Sequence, residues 1–104
     1  MTNATFHILL ALADQDRHGY AIMREVEVRS SGEVKLGPGT LYGAIQRLLE
    51  EGWIAETDGP AGEDPGERRR YYHLTRDGRK ALKDEASRLK DLVKMAQKKK
   101  ILPA

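Results

Sequence analysis

The 104-residue chain contains no cysteine, which excludes a disulfide framework, a thiolate zinc site and a cysteine nucleophile by counting alone. It also lacks a long apolar run. The longest, Ile8 to Ala13, is far short of the roughly 20 residues that cross a bilayer. Met1 is not followed by the charged and hydrophobic segments of a signal peptide. The expectation is a soluble, cytoplasmic protein with no membrane partner. What the chain does have is charge: 33% of its residues are Asp, Glu, Lys or Arg, against 39% hydrophobic, with a formal net charge of +2. A chain this short fits one compact domain whose core is marginal alone, so a dimer is expected.

The charge is divided unevenly. Residues 1 to 67 carry 5 basic and 12 acidic side chains, net −7, and residues 68 to 104 carry 13 basic and 4 acidic, net +9. Such a basic half suits an anionic polymer, because Lys and Arg displace the counterions condensed on phosphates. A solvated Lys-rich helix explains the charge as well, and the patterning has to decide.

A first helix, capped by Thr2 or Asn3, is predicted to run to about Ala13 with Phe6, Leu9, Leu10 and Ala13 inward. After the polar turn Asp14 to Arg17, the residues His18, Gly19 and Tyr20 open a second helix. Its inward residues are Ile22, Val26 and Val28, and it stops at Ser30, Ser31 and Gly32. Val34 and Leu36 suggest a brief strand. Gly37, Pro38, Gly39 and Thr40 lead into a third helix, Leu41 to Glu51, with Thr40 as a candidate cap, Leu41, Ile45, Leu48 and Leu49 inward and Gly52 as its stop. Two short strands follow, Trp53 to Thr57 and Arg70 to Thr75, separated by a loop, Asp58 to Glu67, that is too polar to be buried. From Asp77 the helical period returns and persists to about Lys98 or Lys99.

Along that last helix Leu82, Ala86, Leu89, Val93 and Ala96 are separated by 4, 3, 4 and 3 residues, the spacing of a helix seam, and Leu92 widens the stripe. A helix reaching about 30 Å overhangs so small a globule, which favours a seam between subunits over packing within one.

Three helices followed by strand, loop and strand form the layout of a winged helix-turn-helix. The expected fold is therefore mainly α with a small β wing plus a long C-terminal dimerisation helix. Residues 1 to 75 would form the DNA-binding domain, and residues 76 to 104 the dimerisation helix and basic tail. The third helix would enter the major groove. Opposite its leucine stripe it offers Thr40, Tyr42, Gly43, Ala44, Gln46 and Arg47. Arg47 can pair with guanine, Gln46 with adenine, and Ala44 can touch a thymine methyl. Tyr42 suits phosphate, as do the backbone N–H groups of the Gly39, Thr40 and Leu41 turn. Arg68, Arg69 and Arg70 stand at the far end of the wing as further phosphate contacts, with Glu63, Asp64 and Glu67 close in sequence.

No enzyme is visible. The glycines at 37, 39 and 43 superficially resemble a dinucleotide-binding turn, yet no crossover strand or acidic strand end follows, and a P-loop is missing its Gly-Lys-Ser/Thr. His7, His18 and His73 show no metal-ligand spacing. Ser30 and Ser31 stand near no catalytic constellation, and Glu50 and Glu51 sit together at a helix end. Neither a cofactor nor a metal is expected.

An ordered set of motifs adds to this reading: His18-Gly19-Tyr20-Ala21-Ile22, Gly39-Thr40-Leu41-Tyr42, Arg47-Leu48, Glu51-Gly52-Trp53-Ile54, and Arg70-Tyr71-Tyr72-His73-Leu74-Thr75-Arg76-Asp77-Gly78. Together they closely resemble the PadR family of bacterial transcriptional regulators, over nearly the whole chain. The resemblance implies a homodimeric winged-helix repressor on a palindromic operator in double-stranded DNA, with Tyr20 and Tyr42 contacting DNA. The single C-terminal helix is similar to that of the family's smaller subgroup, in which it joins the first helix, here with Phe6, to form the dimer. The resemblance also implies release by a small aromatic or hydrophobic effector near the dimer interface, where Phe6 or Trp53 could line a pocket. Trp53 is equally explained as a core residue at the base of the wing. Gly43 stands where the family usually has proline, and glycine costs a helix about 1 kcal/mol relative to alanine. A first turn that orders only on DNA is the expectation.

The reading is a sequence-specific DNA-binding transcriptional regulator. Two alternatives from other classes stay open: a protein-interaction module on a winged-helix scaffold, and a protein whose main activity is sensing a hydrophobic ligand.

Overall fold

The computed structural model describes residues 1–59 and 70–104. The elements follow in the order α1 (Asn3–Ala11), β1 (Arg17–His18), α2 (Gly19–Arg29), α3 (Pro38–Glu51), β2 (Ile54–Thr57), β3 (Tyr71–Leu74) and α4 (Arg76–Lys98). The three strands form one antiparallel sheet in the order β1-β3-β2. Most of the predicted loop, residues 60 to 67, lies outside the described residues, as do Arg68 and Arg69.

Polar side chains set where the helices begin. Thr2 Oγ1 accepts from the Thr5 N–H at 3.1 Å, His18 Nδ1 from the Ala21 N–H at 3.1 Å, and Thr75 Oγ1 from the Gly78 N–H at 3.1 Å. Each satisfies a backbone donor that the first helical turn leaves open. The third helix starts earlier than predicted. Gly37 is its N-cap and Pro38 its first residue, where the missing N–H costs nothing, and Thr40 lies inside the helix rather than capping it. At the other end Gly52 adopts φ 75°, the left-handed stop expected there.

The buried core joins Ile8, Leu9 and Leu12 to Ile22 and Val26, to Leu41, Ala44, Ile45 and Leu48 of α3, and to Ile54, Tyr72, Leu74 and Leu82. Four expectations need correction. Leu10 is 50% exposed, because Ile8 and Leu9 already fill the core from α1. Val28 points into solvent, and Val34 and Leu36 form no strand, although Leu36 is buried. Ala44 is buried in the core, where no thymine methyl reaches it, because it completes the inward stripe Leu41, Ala44, Ile45, Leu48. The helix α3 runs through Gly43 from Pro38 to Glu51.

The entry of α4 is clamped to the corner between α3 and β2. The Thr75 N–H donates to the Trp53 carbonyl at 3.1 Å, and Thr75 Oγ1 donates to the Gly52 carbonyl at 2.6 Å. Gly78 packs directly on the Trp53 backbone. Leu82 is taken up by this same core, so it does not face outward with the remainder of the seam. Beyond it the helix leaves the globule: residues 86 to 95 are all exposed. Among the described residues no helix is long and apolar enough to cross a membrane, and no cluster of three His, Cys, Asp or Glu side chains could hold a metal ion.

Candidate nucleic-acid interface

The first turn of α2 and the first turns of α3 meet at a single close contact. A Cβ on Gly19 would stand 2.5 Å from the Tyr42 hydroxyl and 2.9 Å from its ring carbon, so only glycine lets the Tyr42 ring lie on α2. Around this contact His18, Gly19, Tyr20, Tyr42, Arg70 and Tyr72 line a concave surface of about 390 Å³. Tyr20 and Tyr42 are both more than half exposed. Burial pushes the Tyr72 phenol above its ordinary pKa, and nearby Glu56 adds to the shift.

The small strand β1 holds one wall of this site. Its register pairs His18 with Tyr71 and Arg17 with Tyr72. His18 therefore lies edge-on to Tyr71, with ring centroids 5.3 Å apart, and stacks on Tyr20 at 6.5 Å. Arg70, directly before β3, is highly exposed and lies 3.6 Å from Glu56 of β2. Asp16 and His73 add a tie at 2.7 Å between the turn after α1 and the sheet.

On the outer face of α3 the residues Gly39, Thr40, Tyr42, Gln46 and Arg47 are exposed, and no atom would crowd a Cβ at Gly39. Gln46 Nε2 donates to Glu50 Oε1 at 3.3 Å, which leaves its carbonyl oxygen and one amide hydrogen for another partner. Arg47 folds back along the helix, its guanidinium lying 3.7 Å from where a Cβ would stand on Gly43. Tyr20, Tyr42 and Arg70 are thus brought together, with Gln46 and Arg47 further along α3. Arg68 and Arg69 lie outside the described residues. The part played by Gly19 is not readable from the sequence, because it depends on a ring 23 positions away.

The candidate seam behaves differently from this face. Leu89, Leu92, Val93 and Ala86 are exposed, Ala96 is half-buried, and Met95, which the heptad spacing misses, is exposed beside them. Phe6 is half-buried and shares a small cleft of about 170 Å³ with Arg88 and Leu89. A larger cleft of about 320 Å³ opens between α1 and α2, with Leu10, Ala11, Ala13 and Val26 as its apolar wall and His7, Asp14, Glu25 and Arg29 around it. Trp53 is half-buried against the core.

Comparison with known proteins gives a consistent picture. A model of the transcriptional regulator PadR-like family matches residues 8–84. A 37.1 kDa protein encoded in transposon TN4556 of Streptomyces fradiae is 42% identical over 84 residues, covering 81% of this chain but only 22% of its own length. The structure of a PadR family transcription regulator from Clostridium difficile R20291 superposes with a TM-score of 0.78 at 27% identity, covering 93% of this chain and 97% of that one. Bacillus subtilis PadR, solved in complex with operator DNA, shares the fold with a TM-score of 0.69 at 22% identity, covering 83% of this chain and 48% of that one.

Proposed function

Because the chain belongs to the PadR-like family of transcriptional regulators, we propose that it works as a homodimer that binds a palindromic operator and represses transcription. The observation that carries this reading is the gathering of Tyr20, Tyr42 and Arg70 around one concave surface at the start of a helix that exposes Thr40, Gln46 and Arg47. The complex of Bacillus subtilis PadR with operator DNA supports it by analogy. In this reading Arg47 and Gln46 meet base edges, while Tyr20, Tyr42, the Gly39–Thr40 backbone and the arginines at 68, 69 and 70 hold phosphates.

Residues 1–75 then carry the DNA contacts, and residues 76–104 the dimer contacts, through Ala86, Leu89, Leu92, Val93 and Ala96 with Phe6 from α1. The outer half of α4 supports this division, since Leu92, Val93 and Met95 stay about half exposed in the protomer. In this reading a dimer lying across an operator in the bacterial cytoplasm represses by blocking polymerase access. A small aromatic or hydrophobic effector would fit the cleft between α1 and α2 better than the neighbourhood of Phe6 or Trp53. Its volume lies in the range of small-molecule sites and its wall is apolar.

Binding-site selection from random duplex, followed by Arg47→Ala, tests the reading. The substitution should cost about 1 to 3 kcal/mol on the selected site and relax preference at one base position. A parent protein that enriches no sequence would refute it. Gly19→Ala provides a second check. It displaces the Tyr42 ring, so DNA binding should weaken by about 1 kcal/mol, roughly fivefold, while the melting temperature hardly changes. The loss should vanish in a Tyr42→Ala background, because both substitutions remove the same contact. Additive losses would show that Gly19 acts on something other than Tyr42.

A further inference from the structure

We propose that Arg24 forms a second phosphate-binding site on α2, separate from α3 and from the arginines preceding β3. The inference rests on the DNA-binding reading above and adds a position to it. Tyr20 is a ridge between two concavities. On one side lies the surface containing Tyr42 and Arg70, and on the other a shallow groove of about 470 Å³ where Arg17, Arg24, Glu25 and Val28 converge. Arg24 follows Tyr20 by four residues, on the same face of α2 and about 6 Å farther along its axis.

The other charged side chains that line the groove, Arg17 and Glu25, are already matched, and Arg24 is not. Arg17 Nε donates to the Ala11 carbonyl at 2.7 Å, and its guanidinium stands 3.4 Å from Asp14 and 3.8 Å from Glu25. Glu25 in turn accepts from Arg29 Nε at 2.8 Å. The one carboxylate in the groove is thereby held by two other arginines. Arg24 is exposed and makes no ion pair or side-chain hydrogen bond among the described residues, even though Glu27 stands three positions on. An exposed guanidinium with all five donors open, at the lip of a groove beside a hydroxyl-bearing ridge, suits the two unbridged oxygens of a phosphodiester. A nucleic-acid backbone that passes Tyr42 and Arg70 and crosses Tyr20 meets Arg24 next. Being directed at the backbone, the contact carries affinity without base preference.

Salt titration of duplex binding tests this with Arg24→Ala and Arg24→Lys, on a selected operator and on a random duplex. The alanine variant should lose the same factor on both duplexes, about three- to tenfold near 0.1 M salt. Its plot of log affinity against log salt should be shallower by about 0.9, the value of one phosphate contact. The lysine variant should keep the parental slope and part of the affinity, and both should melt with the parent because no internal contact is lost. A parental slope in the alanine variant, or a loss confined to the selected operator, overturns the assignment of Arg24 alone. Failure of the parent protein to bind either duplex overturns the DNA reading itself.

Discussion

Replacing Gly78 with alanine should lower the melting temperature by about 10 to 20 °C. The new Cβ would overlap the Trp53 carbonyl oxygen and lie 2.8 Å from its carbonyl carbon and 2.9 Å from Leu74 Cδ1. None of these atoms can yield easily. The Trp53 carbonyl is tied to the Thr75 N–H, and the preceding Gly52 is held in a left-handed conformation with its carbonyl bound to Thr75 Oγ1. Overlap with fixed backbone costs more than crowding a side chain, and the alanine regains about 1 kcal/mol of helix propensity. A net loss of about 2 to 4 kcal/mol remains, a large share of the roughly 5 to 15 kcal/mol that holds such a domain folded. Thermal denaturation followed by circular dichroism measures it, with Asp77→Ala as the control. That exposed first-turn acid should cost no more than about 1 kcal/mol. Parental melting of Gly78→Ala would mean that α4 does not press on the Trp53 backbone.

The second large effect is expected from placing glutamate at Leu89 and Val93 together. Both side chains are partly exposed, 36% and 47%, on the length of α4 that has left the core, so the protomer should still fold and melt cooperatively. In a dimer seam each buried apolar side chain contributes about 1.5 to 3 kcal/mol, and four opposed carboxylates across a two-fold axis would be strongly unfavourable. Sedimentation equilibrium should find monomers. Operator affinity should fall about 10² to 10⁴-fold, because the second half-site no longer gains from the first. A variant that stays dimeric moves the interface away from these residues. A monomeric variant with parental operator affinity separates dimerisation from DNA binding.

The element order is legible wherever glycine, proline or a capping hydroxyl punctuates a clear period. Gly37-Pro38, Gly52 and Thr75 mark boundaries that the structure keeps within a few residues. The strand β1 escapes such reading, since two residues carry no alternation and Arg17 and His18 are extended only because β3 offers them partners. On α1 the consecutive apolar residues Ile8 to Ala11 give no unique inward face, which is why Leu10 is misassigned. Ala44 is misplaced for a related reason: its small side chain suits either a groove-facing surface or a place in a buried stripe. For the candidate site, residue types and their helix are readable, whereas the seating of Tyr42 on Gly19 and the pairing of Arg17 and Glu25 beside Arg24 emerge only once α2, α3 and the sheet are assembled.

The long C-terminal helix has one further consequence. Its first two turns are locked into the globule by Gly78 and Leu82, and no glycine or proline interrupts it between Arg79 and Lys98. It therefore acts as a stiff strut, and its length and rotational phase dictate how far apart, and at what mutual angle, a pair of α3 helices would sit. One residue inserted after Leu82 would twist the outer apolar face by about 100° relative to α3, and seven would return it almost to its original direction about 10 Å farther out.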